Sequence, residues 1–175
     1  MISALRAAPP RLGGVRVLAV DGPSGAGKST FAAKVVAALG ARTALVSTDA
    51  FATWECPVAW WPQLERGVLA PLAHGRPGEY RKVDWTSGEP RPGELVRLPV
   101  PDVLVLEGVS SGRRSIRPRL SHLCWLEGGT EAERLDRAVA RDGEASREEL
   151  RRWQAFERGW FAVDETREAA QTRLP

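Results

Sequence analysis

Eight consecutive residues, Gly22-Pro-Ser-Gly-Ala-Gly-Lys-Ser29, have the types and spacing needed to hold a polyphosphate. They fit the pattern G-x-x-x-x-G-K-[ST] in full. Gly22, Gly25 and Gly27 permit backbone conformations that aim successive N–H groups inward, and Pro23, Ser24 and Ala26 fill the positions between them. Such a run forms a concave anion nest. Lys28 would bring a point charge to the β- and γ-phosphates. The Ser29 hydroxyl is sized to join a magnesium shell, and Thr30 completes the set on the first turn of a helix whose positive dipole end adds to the field. The alternative is a glycine-rich turn that merely joins a strand to a helix. The full motif, with a strand before it and a helix after it, favours Mg-nucleotide binding and is silent about any acceptor.

A receiving side is expected opposite the cradle. Asp49, in Ser47-Thr48-Asp49-Ala50-Phe51, stands at the end of a predicted strand, where it would orient or accept the proton of an incoming hydroxyl. Its alternative role is as a turn or cap residue. Glu107 ends another predicted strand and could hold magnesium through a water, with a turn carboxylate as the alternative. Arg134, Arg137 and Arg141 recur at i, i+3 and i+7 and share one helix face. Guanidinium forks there suit the charge on a transferring phosphoryl group. The competing reading is a solvated face with Glu133 paired to Arg137.

The elements that must position these groups follow from apolar patterning. Residues 15–20, 43–47, 102–107 and 122–126 are short apolar runs of strand length. Phe31, Val35 and Leu39 define a helix after Lys28. A helix is expected over 57–75, with Trp60, Leu64, Val68 and Leu72 on one face and a bend at Pro71. Thr130-Glu-Ala-Glu133 and Ser146-Arg-Glu-Glu149 both match a capping box. The helix after Ser146 carries Leu150, Trp153, Phe156 and Trp160. Residues 76–101 are rich in Pro and Gly and read as a long functional or mobile loop. Residues 1–14 read as a loose lead-in, without the apolar core of a signal peptide. Alternating strands and helices predict a three-layer α/β domain over 15–175 with a mainly parallel sheet. An acceptor-side insert is expected at about 50–100 and a helical lid at about 128–146.

The 175 residues are 43% hydrophobic and 27% charged, as in an ordinary globular domain. A net charge of +3 is too small to argue for a nucleic-acid partner. Two cysteines without metal-ligand spacing, and no apolar run long enough to span a bilayer, suggest a reduced, cytosolic chain away from membranes. The sequence leaves a homo-oligomer open.

Together these residues resemble the uridine kinase family, within the P-loop nucleoside and small-metabolite kinases. The cradle is close to the form usual there. Asp49-Ala50-Phe51 is similar to an Asp-x-Phe motif whose aspartate acts as base toward a nucleoside 5′-hydroxyl. Leu106-Glu107-Gly108 looks like the family's strand-end Glu-Gly, and Arg134 to Asp142 like its lid signature. The resemblance implies a nucleoside-kinase-like P-loop fold, ATP and Mg²⁺ as cofactors, and a small hydroxyl compound as acceptor. Lys28, Asp49, Arg137 and Arg141 would be catalytic and Arg134 would contact the nucleotide. The chain departs from the pattern on the acceptor side. Val83-Asp84-Trp85 stands where the family has Tyr-Asp-Phe, although Tyr80 is close by, and Gly88 replaces a following histidine. Phe51, Tyr80, Asp84, Trp85 and Arg113 are the candidate acceptor contacts, with at most two of Trp54, Trp60, Trp61 and Trp85 in a pocket. At the C-terminus, Ala170-Gln171 replaces Ala-Asp and the closing strand looks poor. A nucleoside-monophosphate kinase, using Arg76, Arg81, Lys82 or Arg113 for a second phosphate, is the enzymatic alternative. A non-catalytic nucleotide-binding module is the other, and the Asn-Lys-x-Asp motif of a GTPase is missing from the sequence.

Overall fold

A computed structural model describes residues 1–86 and 89–175, so the Gly88 position lies outside it. In chain order the elements are α1 (Ile2–Ala7), β1 (Arg16–Asp21), α2 (Lys28–Leu39), β2 (Thr43–Ser47), α3 (Trp61–Leu64), α4 (Ala70–Ala73), β3 (Gly78–Asp84), β4 (Arg91–Leu98), β5 (Val103–Glu107), β6 (His122–Leu126), α5 (Glu131–Asp142), α6 (Arg147–Asp164), α7 (Thr166–Ala169) and β7 (Thr172–Leu174).

Five strands form one parallel sheet in the order β2-β5-β1-β6-β7. The inner strands β1, β5 and β6 are near-continuous apolar runs buried on both faces, while the edge strands β2 and β7 stay partly exposed. Side chains alternate across the sheet. Val17, Ala19, Leu104 and Leu106 join a core with Trp60, Leu64, Val68 and Leu72. Leu18, Val20, Val103 and Val105 turn the other way, onto Ala32 and Val35 of α2 and Leu5 of α1. The architecture is therefore a three-layer α/β fold.

Register fixes the functional rim. Val20 and Ser47 both pair with Glu107, and Asp21 pairs with Trp125, so β1, β2, β5 and β6 end together. Asp21 locks this edge. Its buried carboxylate accepts from the Gly22 amide at 2.8 Å, the Ser110 amide at 3.1 Å and the Gly112 amide at 2.8 Å. Burial pushes its pKa up to about 7 against the pull of those amides and of Lys28.

Several expectations change. The N-terminal residues are not a loose lead-in: they form α1, with Leu5 fully buried and Arg16 donating to the Ala8 carbonyl at 2.8 Å. The stretch read as a long loop holds an antiparallel hairpin, β3 against β4. The helix expected over 57–75 starts at Trp61 and passes through a π-helical segment, Glu65–Leu69, between α3 and α4. Pro71 has no N–H to return to Gly67, four residues earlier, and the turn before it widens accordingly. The four apolar positions expected on one face are all buried. Thr130 forms a true capping box with Glu133, whereas Ser146 caps nothing with its side chain and donates to the Asp142 carbonyl at 3.3 Å. A closing strand does exist: β7 pairs with β6, and Gln171 takes the Leu123 amide at 2.7 Å.

Two glycines make opposite tests of this packing. At Gly67 a Cβ would stand 2.6 Å from the Glu79 carbonyl, against β3. Gly159, inside α6, faces open space. Gly67→Ala should lower stability by about 1–3 kcal/mol despite its better helix propensity. Gly159→Ala should raise it by about 0.5–1 kcal/mol. Thermal or urea unfolding checks both, and equal shifts would contradict the close approach of the helix to the hairpin.

Candidate active site

The cradle follows β1 directly, and Gly22, Gly25 and Gly27 all have positive φ angles of 144°, 75° and 86°. Glycine is required at position 25 for space as well, because a Cβ there would collide with the Arg134 carbonyl. At Gly27 a Cβ would meet nothing, so the mouth of the loop is open. Lys28 is only 8% exposed, and its Nζ donates to the Pro23 carbonyl at 2.8 Å, folded back over the loop.

Ser29 and Glu107 meet at the end of β5. The hydroxyl donates to both carboxylate oxygens at 3.3 Å. Glu107 is 4% exposed. Burial raises its pKa, the Ser47 hydroxyl lowers it, the charge of Asp49 raises it, and Lys28 and Ser29 lower it. An exposed hydroxyl on the first turn of α2 and one buried carboxylate at the end of β5 fit a magnesium ion, which keeps several waters and asks for few protein ligands. Among the described residues no cluster of three or more His, Cys, Asp or Glu side chains is formed.

Asp49 sits in a 3₁₀ turn, Thr48–Ala50, just past β2. The Ser47 hydroxyl, not Asp49, supplies the cap by accepting from the Asp49 amide at 3.2 Å. The Asp49 carboxylate is thus not consumed as an N-cap. It lines a cleft of about 440 Å³ together with Ser24, Ala52, Trp54, Trp85 and Arg141, and Trp153 contributes from α6.

The three arginines of α5 take three different tasks. Arg137 donates to the Gly25 carbonyl at 2.9 Å and to the Gly128 carbonyl, reaching over the cradle. Arg134 is held by the Glu127 and Gly129 carbonyls. Arg141 forms a two-pronged pair with Asp142, both contacts 2.6 Å, and turns to the cleft. That pair, then the charges of Asp49 and Glu107, raise its pKa against partial burial. Arg137 and Arg141 are exposed, as on a solvated face, but the Glu133–Arg137 pair of that alternative does not form, because Glu133 is engaged by Thr130.

The acceptor-side candidates divide. Trp85 lines the cleft, edge-on to Trp54 at 5.3 Å between ring centroids. Phe51 and Tyr80 do not reach it. They are buried in the core, where Phe51 stacks on Trp60 at 5.4 Å and touches Tyr80 at 5.0 Å. Asp84 ends β3 and accepts from the Thr86 amide at 2.9 Å, outside the cleft wall. Arg113 is sandwiched between Trp61 and Trp160, 4.8 Å from each ring, and donates to the Val58 carbonyl at 3.0 Å. Of the four tryptophans weighed from sequence, Trp54 and Trp85 line the cleft, while Trp60 and Trp61 pack elsewhere.

Sequence reasoning missed Trp153, Asp142, Ser146 and Glu157. Glu157 is 2% exposed and accepts from the Ser24 amide at 3.0 Å and from its hydroxyl. A signal was available: Leu150, Trp153, Glu157 and Trp160 follow a 3-4-3 spacing, so a carboxylate interrupts an otherwise apolar stripe.

No protein-family model matches the chain, and no curated protein matches it in sequence. Two solved structures, both provisionally named, share its fold. One is a uridine kinase from Bacillus stearothermophilus, at 17% identity and a TM-score of 0.68 over 93% of this chain and 90% of that one. The other is a fructose transport system kinase from Silicibacter sp. TM1040, at 20% identity and a TM-score of 0.67 over 99% of this chain and 94% of that one. The chain has the α/β fold of P-loop kinases.

Proposed function

We propose that this protein is a phosphotransferase that moves the γ-phosphate of ATP to a hydroxyl group of an unphosphorylated, ring-bearing small molecule. One observation carries the reading: a single cleft contains Ser24 of the cradle, the Asp49 carboxylate, Arg141 and an aromatic wall of Trp54, Trp85 and Trp153.

Loop amides and Lys28 would bind the β- and γ-phosphates. Ser29 and Glu107 would hold the magnesium ion, which when bound supplies positive charge to the phosphate oxygens and orients them. Asp49 would accept the hydroxyl proton as the acceptor oxygen attacks phosphorus. Arg137 and Arg141 would meet the negative charge spread over the transferring group. Closure over the cradle by α5 would keep water from competing with the acceptor.

The wall favours a flat ring, because indoles offer both faces and edges to such a group. The monophosphate alternative is less favoured. None of Arg76, Arg81, Lys82 and Arg113 lines the cleft, and Arg141, which does, is assigned to the transferring phosphoryl group. The names of the two similar structures join one nucleoside and one sugar system, so they leave the acceptor to experiment.

ADP release with MgATP across nucleosides, nucleotides, sugars and vitamins should rise with an unphosphorylated ring-bearing alcohol and less with its phosphate ester. The reverse order would favour the monophosphate reading. Asp49→Asn should cut transfer by about 10²-fold or more while MgATP binding is nearly kept. A parallel loss of binding would remove Asp49 from its role as base. Lys28→Ala should abolish turnover in a folded protein. Arg137→Ala should lower kcat by about 10²-fold, more than it weakens MgATP.

A further inference from the structure

The buried carboxylate of Glu157 has no part in the transfer chemistry set out above. It stands on α6, 133 residues from its partner Ser24, and takes both the Ser24 amide and the Ser24 hydroxyl. Trp153 lies one helical turn earlier on the same α6 face, where residues four apart are neighbours. Ser24 and Trp153 both line the cleft. Burial raises the Glu157 pKa, and Lys28, Ser24 and Trp153 each act to keep the carboxylate charged.

A carboxyl group removed from water is costly unless donors surround it. Here the donors come from Ser24 at the shoulder of the phosphate cradle, while the carboxylate stands on α6, the helix that brings Leu150 and Trp153 into the wall of the acceptor cleft. We propose that Glu157 is a positioning residue that couples the P-loop to the wall of the acceptor cleft, by tying Ser24 to the stretch of α6 that carries Trp153. The proposal rests on the phosphotransfer reading and adds to it a physical link between the two substrate sites. An ordered cradle fixes Ser24, which fixes the carboxylate and with it the neighbouring turn of α6 that bears the indole. Trp153 also touches Trp54 at 5.8 Å between ring centroids, and Trp54 touches Trp85, so the link extends across the wall.

The test is MgATP titration of the full chain, Glu157→Gln, Ser24→Ala and Trp153→Phe, followed by calorimetry and by tryptophan emission. The part of the MgATP-induced emission change that Trp153→Phe removes reports on Trp153. Coupling predicts that Glu157→Gln weakens MgATP about threefold to tenfold, the scale of one hydrogen bond, and loses that part of the emission change even at saturating MgATP. Glu157→Asp should recover part of both. A Trp153 response that persists in folded Glu157→Gln, or no Trp153 response in the unaltered protein, would overturn the coupling while leaving the phosphotransfer reading intact. Absence of MgATP binding by the unaltered protein would overturn both. Should Glu157→Gln fail to fold, Ser24→Ala, which removes one of the two donors to Glu157, decides by the same readout.

Discussion

Backbone N–H groups and a buried lysine confined to one short loop create a positive field that acceptors must meet. The structure answers that field with its own acceptors. Lys28 turns to the Pro23 carbonyl, the Ser24 amide goes to Glu157, and Ser29 goes to Glu107. Such partners keep buried polar groups satisfied, and the open space beside Gly27 leaves room for phosphate oxygens. The surrounding elements either hold this loop in shape or bring a reactive group to its rim.

Sheet register performs the second task. Because β1, β2 and β5 run parallel and in step, their C-terminal ends deliver Gly22, Thr48 and Gly108 to one edge. Asp49 and Glu107 then lie on the same side as the cradle without any long-range search by flexible loops. Asp21 reinforces the edge by tying three backbone amides from two segments to one buried carboxylate. Helix α5 enters through its capping box at Thr130, and its register sends Arg137 to the loop and Arg141 to the cleft.

Much of this was legible in the sequence wherever the cause is local. The buried strands appear as unbroken apolar runs, the cradle as a glycine pattern, and the α5 start as a Thr-x-x-Glu box. Residues whose roles depend on distant partners were harder to read. Phe51 and Tyr80 look like ligand contacts from the family resemblance, yet each completes the other's packing beside Trp60. The β3–β4 hairpin escaped because most of its residues stay at least partly exposed and Pro92 and Gly93 interrupt the alternation expected of a strand. Helix α1 is a six-residue piece whose stability comes from docking Leu5, which no local pattern announces. Ser146 satisfies the letter of a capping box, but a 3₁₀ turn, Glu144–Ser146, occupies the approach and its side chain bonds backward.

The central claim is that the loop between β1 and α2 is a polyphosphate cradle with a metal-holding pair beside it. Calorimetric titration of the purified protein with MgATP, repeated with ATP after chelation of the metal, tests that claim most directly. The account predicts saturable one-to-one binding that weakens markedly without magnesium. No heat of binding with any Mg-nucleotide, or an affinity indifferent to the metal, would contradict it.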